Sequence, residues 1–321
     1  MFKTSLFNQV SLPLVIEPDS YEERTPTVES LIPLYAENKS YLESKLLEHG
    51  ALLFRGFSVN SAEALEQFAR SASGGDLLNY IDGTSPRTKV NTSVYTSTEY
   101  PAAYFISLHN ELSYTHRWPS KIYFCCVTAP QQGGETPIVD SRALLRSIPS
   151  DVVEEFRKKG VKYVRNLHGG LGLGPSWQIV FETDDKLVVE RYCQESGIEF
   201  KWKNDNGLWL SQVRPAIATH PQTGEAVWFN QADQFHPTEM DDQTRLALLS
   251  MMEEEDLPKN AYFGDDTCLG VSMLEKIREV TRNQMVLFSW RTGDVLILDN
   301  MLVAHGRMPF TGPRRILVAM S

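Results

Sequence analysis

The sequence predicts a mainly β fold with flanking helices, and three observations point to it. Short β-prone runs separated by turn residues recur along the chain, for example at 121–128, 161–164 and 208–213. Long stretches with apolar residues at helical spacing are few. The C-terminal part returns to β-prone sequence, at 294–299 and 315–320. This combination is typical of a β-sandwich or barrel with helices packed against its outside.

Helical patterns flank these strands. Residues 40–49 carry leucines at helical spacing and end at Gly50, which is a helix stop signal. A second helix begins with Asn60 as its N-cap and Glu63 three residues later. Further helices are predicted at 141–159, 242–255 and 273–281, further strands at 51–54, 104–108, 177–181, 226–229 and 284–290, and extended chain with loops over the first 38 residues.

The 321 residues are expected to form one domain, because no repeat and no linker-like stretch divides them. Residues 1–50 are expected to be an N-terminal extension that includes the first helix. Residues from about 142 to 240 are expected to be an insertion between the two segments that carry the candidate metal ligands. Within the domain, residues 74–103 form a long loop rich in Gly, Ser, Thr and Tyr, and such loops are often functional.

The composition excludes several function classes. The chain has 42% hydrophobic and 22% charged residues and a net charge of −10. It can therefore bury a core, but it lacks the basic surface that nucleic acid or an anionic membrane requires. No apolar stretch approaches the roughly 18 residues of a spanning helix, and we expect a cytoplasmic protein. The four cysteines contain no CxxC pair, so neither a thiolate zinc site nor a disulfide framework is expected.

The candidate metal ligands are His109, Glu111 and His305. The β-prone run 104–108 leads into His109, and side chains two residues apart on a strand point to the same face. His305 follows the apolar run 295–298 and lies at a strand end. Two histidines and one carboxylate on one face of a metal, with the other positions open, are the ligand set of non-heme Fe(II) oxygenases. The alternative for His109 and Glu111 is an ordinary pair on a surface strand.

The remaining histidines are expected to be structural. His116 is close to His109 in sequence, but its neighbours Arg117 and Trp118 indicate a loop. The others lack a carboxylate at comparable spacing in an apolar context, and they are His49, His168, His220 and His236. The glycine-rich run 168–174 has neither the following Lys-Ser/Thr nor the βαβ setting of a phosphate-binding loop, so we do not expect it to bind phosphate.

Arg315 is the candidate residue for binding a cosubstrate. A guanidinium pairs with a carboxylate through two parallel hydrogen bonds and stays charged when it is partly desolvated. The residues that follow, 316–319, are apolar throughout, which favours an interior position for Arg315 beside His305. There it could hold the distal carboxylate of a dicarboxylate cosubstrate. Arg314 is expected to be a solvated charge at the strand end.

Four segments carry a resemblance to a known family. They are His109-Asn110-Glu111, the turn 133–136, the segment 299–307 with His305, and Pro313-Arg314-Arg315. In this order they resemble the taurine dioxygenase-like (TauD/TfdA) family of Fe(II)/2-oxoglutarate-dependent oxygenases, in the branch of the clavaminate synthase-like enzymes and the syringomycin aspartate hydroxylase. The resemblance runs from about residue 50 to the C-terminal residue. It implies a double-stranded β-helix (jelly roll, cupin-like) core within a single oxygenase domain.

The resemblance also implies roles for individual residues. The Fe(II) ligands would be His109, Glu111 and His305. Arg315 would bind the C5 carboxylate of 2-oxoglutarate, and Thr136 would donate its hydroxyl to the same carboxylate, while the alternative for Thr136 is an ordinary turn hydroxyl. O2 would be the second cosubstrate.

The implied reaction decarboxylates 2-oxoglutarate to succinate and CO2 and oxidises an unactivated C–H bond, by hydroxylation or desaturation. Glu111 favours these outcomes, because halogenating relatives lack this carboxylate. Taurine dioxygenase has a further arginine, for the substrate sulfonate, four residues beyond the cosubstrate arginine. Here that position is Ala319, so a sulfonate substrate is not expected. The branch implies an amino acid or an amino-acid derivative in natural-product biosynthesis, free or held on a carrier protein.

Three residues are candidates for substrate binding. Arg307, two residues from His305, either binds a substrate carboxylate or braces the surroundings of the metal. Asn91 and Asn230 offer polar groups near aromatic residues, as a small-molecule pocket requires. Two other function classes stay open at this point. One is a zinc hydrolase with the same His-Glu-His set, and the other is a non-catalytic jelly-roll binding protein.

Overall fold

The computed structural model describes residues 2–7, 11–19 and 26–321. Within these residues the helices are α1 (Val28–Glu37), α2 (Lys39–His49), α3 (Ala62–Ser73), α4 (Ser141–Ser147), α5 (Ser150–Lys159), α6 (Trp177–Phe181), α7 (Lys186–Glu195), α8 (Ala232–Phe235), α9 (Asp242–Met251) and α10 (Val271–Gln284). None of these helices combines the length and the apolar character that crossing a membrane requires.

Most of the strands belong to two sheets that face each other. The strands are β1 (Phe2–Leu6), β2 (Leu14–Pro18), β3 (Ala51–Phe54), β4 (Tyr95–Thr96), β5 (Ile106–His109), β6 (Lys121–Thr128), β7 (Gln132–Gly133), β8 (Ile138–Asp140), β9 (Val161–Leu167), β10 (Glu199–Trp202), β11 (Leu208–Arg214), β12 (Ile217–Thr219), β13 (Ala226–Trp228), β14 (Lys259–Phe263), β15 (Val295–Asp299), β16 (Val303–Arg307), β17 (Phe310–Thr311) and β18 (Arg315–Met320).

The larger sheet has seven strands in the order β1-β2-β3-β15-β6-β18-β4, and the smaller has the order β5-β16-β8. The pairs in both are antiparallel except β2 with β3. The prediction of a mainly β fold with a jelly-roll core and flanking helices is confirmed.

The central strand β15 shows why parts of the sequence are apolar without alternation. It lies between β3 and β6, and all five of its residues are buried. Leu296 and Leu298 belong to the core cluster inside the roll, whereas Val295 and Ile297 belong to a second cluster shared with α1, α2 and α3. A strand covered on both faces must be apolar on both.

Four strands form a separate sheet, with the order β10-β11-β9-β14. Helices α6 and α7 pack against it and share a third apolar cluster with it. Because β14 pairs with β9, this sheet includes residues beyond position 240, the expected end of the insertion.

Three predicted elements were wrong, and α3 is capped by Ser61 instead of the predicted Asn60. Residues 28–37 form α1 rather than extended chain, because its buried Val28, Leu31 and Tyr35 outweigh the disruptive effect of Pro33. Residues 177–181 form α6 instead of a strand, and Ser176 caps its start. The predicted strand at 284–290 is irregular apart from one bridge between Val286 and Ile138. In the first two segments, tertiary packing and capping outweigh local preference.

A buried ion pair joins β9 to the loop 74–103. Arg165 on β9 donates through Nη2 to the Asp82 carboxylate and through Nη1 to the Asp82 carbonyl (3.2 Å). Tyr192 donates to the same carboxylate (3.2 Å), and Tyr114 donates to the same carbonyl (2.6 Å). Both charged side chains are almost fully buried. Each charge therefore depends on the other for stabilisation.

We expect Arg165→Met to lower the free energy of unfolding by about 3–5 kcal/mol, because it leaves the buried Asp82 carboxylate without its cation. Urea denaturation of the metal-free protein measures this loss. Arg157→Ala is the matched control, since Arg157 pairs with Glu154 on an exposed helix face, and it should cost less than about 1 kcal/mol. Equal losses of unfolding free energy in the two variants would show that the buried ion pair stabilises the fold no more than the exposed one.

Candidate metal centre

Strand pairing brings the two halves of the predicted metal site together. In the register of β16 with β5, His305 lies directly opposite His109. The two imidazole centroids are 4.7 Å apart. Together with Glu111, these residues offer ligand atoms that all lie within 4.8 Å of one another. The structure thus assembles the three predicted residues into one cluster, although they are far apart in sequence.

Glu111 reaches the cluster from a turn and not from a strand. The strand ends at His109, so the expected strand presentation of both side chains was wrong. Instead, the fully buried Asn300 holds the backbone of Glu111. The Glu111 N–H donates to Asn300 Oδ1 (2.7 Å), and Asn300 Nδ2 donates to the Glu111 carbonyl (2.9 Å). Asn300 belongs to the segment between β15 and β16, and it fixes the turn after β5 relative to His305.

The cluster is buried, and burial favours the neutral form of its imidazoles. All three side chains are nearly inaccessible. Burial lowers the pKa of His109, and it lowers the pKa of His305 strongly, with further contributions from His109 and Arg87. Nδ1 of His109 donates to the Ser107 carbonyl (2.9 Å), which leaves its Nε2 lone pair free. Neutral imidazoles with free lone pairs beside a carboxylate are the form in which these groups bind a metal ion.

A residue outside the sequence-based predictions pairs with the carboxylate. Arg87 donates from Nη2 to Glu111 Oε2 (2.5 Å), and the Tyr80 hydroxyl donates to Oε1 (3.2 Å). The guanidinium carbon of Arg87 lies 4.5 Å from the centroid of the Tyr80 ring. Arg87 lies in the long loop 74–103, where no periodicity indicated which side chain turns inward. The only signal was the length of that loop.

A small cavity of about 20 Å³ adjoins the cluster, and Arg314 lines it. Arg314 donates from Nε to the Gly134 carbonyl (3.0 Å) and from Nη1 to Ser97 Oγ (3.2 Å). Burial, and next the positive charge of Arg307, lower the pKa of Arg314 to about 10. The guanidinium is therefore still charged at neutral pH.

Arg315 does not reach this cavity, so the expectation of an interior Arg315 and a solvated Arg314 was wrong. Arg315 is exposed at the start of β18. Alternate residues of this strand face opposite sides. Ile316 and Val318 face the interior of the roll, and Leu317 faces the helices. Arg314, the residue before β18, lines the small cavity, whereas Arg315 is exposed, and the pairing of β18 with β6 is irregular between Arg315 and Ile316. The uniformly apolar sequence of the strand could not reveal this.

The other predicted residues are placed as follows. Thr136 is buried on the wall of the small cavity, and its Oγ accepts a hydrogen bond from Trp290 Nε1 (3.1 Å). Arg307 is a brace, because it donates to the backbone carbonyls of Thr98 (3.3 Å), Tyr100 (2.8 Å), Pro101 (2.7 Å) and Tyr104 (3.0 Å).

The two asparagines bind backbone atoms. The side chain of Asn91 accepts from the Val94 N–H in a turn, and Asn91 lines neither cavity described here, contrary to expectation. Asn230 does line the larger cavity, but its amide donates to the Ala216 carbonyl and accepts from the Ala232 N–H.

A second cavity, of about 840 Å³, meets the small one at Thr98 and Ile106. Its lining is mainly apolar but includes charges of both signs, namely Asp233, Glu239, Lys259 and Arg278. Asp233 forms an ion pair with Arg278 (2.5 Å). Burial, followed by the charge of Asp233, raises the pKa of Glu239 to about 7. Burial lowers the pKa of Lys259.

Comparison with known proteins identifies the family. The family model "Taurine catabolism dioxygenase TauD, TfdA family" matches residues 20–320. The chain belongs to this family. It is accordingly an Fe(II)- and 2-oxoglutarate-dependent dioxygenase. Family membership also decides against the zinc hydrolase and the non-catalytic binding protein, which the sequence alone had left open.

Two relatives cover most of the chain. The dapdiamide synthesis protein DdaC of Enterobacter agglomerans is 41% identical over 279 residues, which are 87% of this chain and 84% of that protein. A clavaminate synthase-like protein of Arabidopsis thaliana is 33% identical over 322 residues, covering 96% of this chain and 93% of that protein.

Solved structures of low sequence identity share the fold. The PvcB protein of Pseudomonas aeruginosa superposes with a TM-score of 0.58 at 17% identity, covering 99% of this chain and 90% of that one. The structure of AAD-2 in complex with Mn(II) and N-oxalylglycine gives a TM-score of 0.55 at 15% identity, with coverage of 99% and 96%.

His236, on the wall of the larger cavity, provides a pH-dependent test of the site's electrostatics. Burial, followed by the charge of Arg278, lowers the pKa of His236 to about 4. The native protein therefore binds fewer protons than the unfolded chain between about pH 4 and 6.5, and stability falls as the pH falls through this window.

We expect His236→Asn to remove about 1 kcal/mol of this acid destabilisation at pH 5, a figure reduced to allow for solvent screening. In the wild type the Thr238 N–H donates a hydrogen bond to His236 Nδ1, and the asparagine side chain offers an oxygen that can accept the same bond. The measurement is the free energy of unfolding of both proteins at pH 5 and pH 8. The difference between variant and wild type should favour the variant more at pH 5, and a pH-independent difference would contradict the lowered pKa.

Proposed function

We propose that this dioxygenase hydroxylates or desaturates an unactivated C–H bond of an amino acid or an amino-acid derivative in natural-product biosynthesis. In the same reaction 2-oxoglutarate is decarboxylated to succinate and CO2. The observation that carries the proposal is the buried His109, Glu111 and His305 cluster beside a cavity with charges of both signs. The 41% identity to a protein named for dapdiamide synthesis supports the biosynthetic setting.

We assign the Fe(II) ligands to His109, Glu111 and His305. Two neutral imidazoles and one carboxylate are the donors of a facial triad with open positions, and their mutual distances are compatible with a shared ion. When bound there, Fe(II) supplies the activation of O2. The protein supplies a rigid and dry setting. Asn300 fixes the Glu111 backbone, and the Phe124 ring packs edge-on against the His305 imidazole with centroids 5.1 Å apart.

We assign the C5 carboxylate of 2-oxoglutarate to Arg314 and Thr136. Arg314 uses Nε and Nη1 on Gly134 and Ser97, and its Nη2 group has no partner among the described residues. The Thr136 hydroxyl accepts from Trp290, so its own hydrogen remains available for donation. A half-buried cation and a hydroxyl donor on one small cavity suit a carboxylate. Arg314 thus takes the role that the resemblance had implied for Arg315.

The larger cavity suits an amino-acid substrate. Its volume of about 840 Å³ lies in the range of small-molecule sites. Asp233 is already paired with Arg278, so Glu239 is the carboxylate that can face an ammonium group, and Lys259 can face an anionic group. The residue four positions beyond Arg314 is Val318, which faces the apolar core. A sulfonate substrate bound by an arginine at that position, as in taurine dioxygenase, is therefore not proposed.

The metal assignment predicts a difference between two histidine variants. We expect His305→Ala to weaken Mn(II) binding by more than about 100-fold, because it removes one of three protein ligands. His116→Ala is the control, since His116 is exposed and lies in a loop, and it should bind Mn(II) like the wild type. Electron paramagnetic resonance of free Mn(II) measures both affinities. Unchanged affinity in His305→Ala would refute the assignment.

The cosubstrate assignment predicts a difference between two adjacent arginines. Anaerobic titration of the Fe(II) protein with 2-oxoglutarate should give a visible metal-to-ligand charge-transfer band. We expect Arg314→Ala to raise the dissociation constant read from this band by about 10- to 100-fold, since it removes charge-assisted hydrogen bonds. Arg315→Ala should leave the constant unchanged. The opposite result would show that Arg315, and not Arg314, binds the cosubstrate.

A further inference from the structure

Arg87 is a buried cation beside the metal cluster with unused hydrogen-bonding capacity. Its side chain is 2% exposed. One nitrogen, Nη2, donates to Glu111, whereas Nε and Nη1 have no partner among the described residues. Leaving a buried donor unsatisfied costs about 1–3 kcal/mol, and more for a charged group. A ligand that accepts from these N–H groups would recover that cost.

The position of Arg87 is fixed by its surroundings and is open to the site. Its guanidinium stacks on the Tyr80 ring, and the Tyr80 hydroxyl bonds Glu111 on the other carboxylate oxygen. Arg87 lines the small cavity together with His109, His305 and Arg314. The unsatisfied donors therefore belong to a side chain that is already oriented and that borders the reacting region.

The other arginines of this cavity are differently occupied. Arg307 donates to four backbone carbonyls, which gives it a structural role. Arg314 is the residue proposed for the cosubstrate. Of the three arginines, Arg87 has the most N–H groups without a partner among the described residues, and the proposed function gives these groups no role.

The charge balance indicates which kind of ligand is missing. With the proposed function, Glu111 and the two carboxylates of 2-oxoglutarate bring three negative charges. Fe(II), Arg87 and Arg314 bring four positive charges, and the buried Arg307, whose carbonyl partners are neutral, adds a fifth. Positive charge in this buried site therefore exceeds negative charge, and a buried charge without a partner is strongly unfavourable. The remaining ligand should therefore be an anion.

We propose that Arg87 binds a carboxylate of the substrate, which accepts hydrogen bonds from its free N–H groups. This inference rests on the proposed function and makes the substrate class narrower. The substrate carries a free carboxylate, either because it is an untethered amino acid or because it has a second carboxylate besides the one held by a carrier.

The test uses full-length Fe(II) protein loaded with 2-oxoglutarate under anaerobic conditions. The variants are Arg87→Gln, which removes the charge, and Arg87→Lys, which keeps it. Arg117→Gln is the matched control, because Arg117 is exposed. The probes are the proteinogenic L-amino acids and their N-acetyl derivatives, each paired with its uncharged α-amide. The readouts are the charge-transfer band, its shift on adding a probe, and Mn(II) affinity.

We expect at least one carboxylate probe, and not its amide, to shift the band in the wild type and in Arg117→Gln. In Arg87→Gln the band should form normally, while the dissociation constant of that probe rises about 10- to 100-fold. Arg87→Lys should recover part of the affinity. Normal Mn(II) binding by Arg87→Gln would show that the cluster is intact.

Five outcomes would overturn the inference. Loss of the band itself in Arg87→Gln would assign Arg87 to the cosubstrate. A weakened Mn(II) affinity with an unchanged probe shift would make Arg87 a residue that only orients Glu111. Equal shifts by acids and amides, or no shift by any probe although the band forms, would exclude carboxylate recognition. Absence of the band in the wild type would instead overturn the proposed function, and this inference with it.

Discussion

The antiparallel pairing of β16 with β5 is the contact on which the site depends. It places His305 opposite His109 and so joins two segments that are distant in sequence. β16 is fully buried and is held on its other edge by β8. The register cannot slip without moving every β16 side chain to the wrong face of a packed strand. The positions of the two imidazoles are thus set by the same packing that stabilises the roll.

The carboxylate of the cluster is positioned by different means. Glu111 lies in a turn, where no strand register fixes it, and the chain compensates with specific polar contacts. The Asn300 amide holds its backbone, and Arg87 and Tyr80 each bond one of its oxygens. A carboxylate buried without such partners would be strongly destabilising. Arg87 therefore stabilises the buried Glu111 carboxylate in the metal-free chain, and it does so through a single nitrogen, Nη2.

The sequence predicted what its patterns encode. His109 and Glu111 follow a β-prone run and His305 follows an apolar one, so their ligand role could be inferred before their contact was known. The identity of the cosubstrate arginine could not. A strand buried on both faces, like β18, has no polar alternation, and the inward set of residues is then unreadable from sequence. Arg87 could not be predicted for a related reason, because its loop has no periodicity at all.

The α1 helix shows the converse, since packing of Leu31 and Tyr35 overrides the local signal of Pro33.

The three arginines around the small cavity show how role follows from hydrogen-bond occupancy. All carry the same charge and all line the same space, so neither charge nor location distinguishes them. Arg307 donates from Nη1 and Nη2 to four carbonyls of the loop 98–104, while its Nε has no partner among the described residues. Arg314 is anchored through two nitrogens and keeps one amino group free. Arg87 is anchored through one nitrogen and a stacked ring. A buried guanidinium with free N–H groups is costly unless a ligand pairs with it. Arg307 makes the most hydrogen bonds to the protein and Arg87 the fewest. We therefore expect a ligand to interact most strongly with Arg87 and least with Arg307.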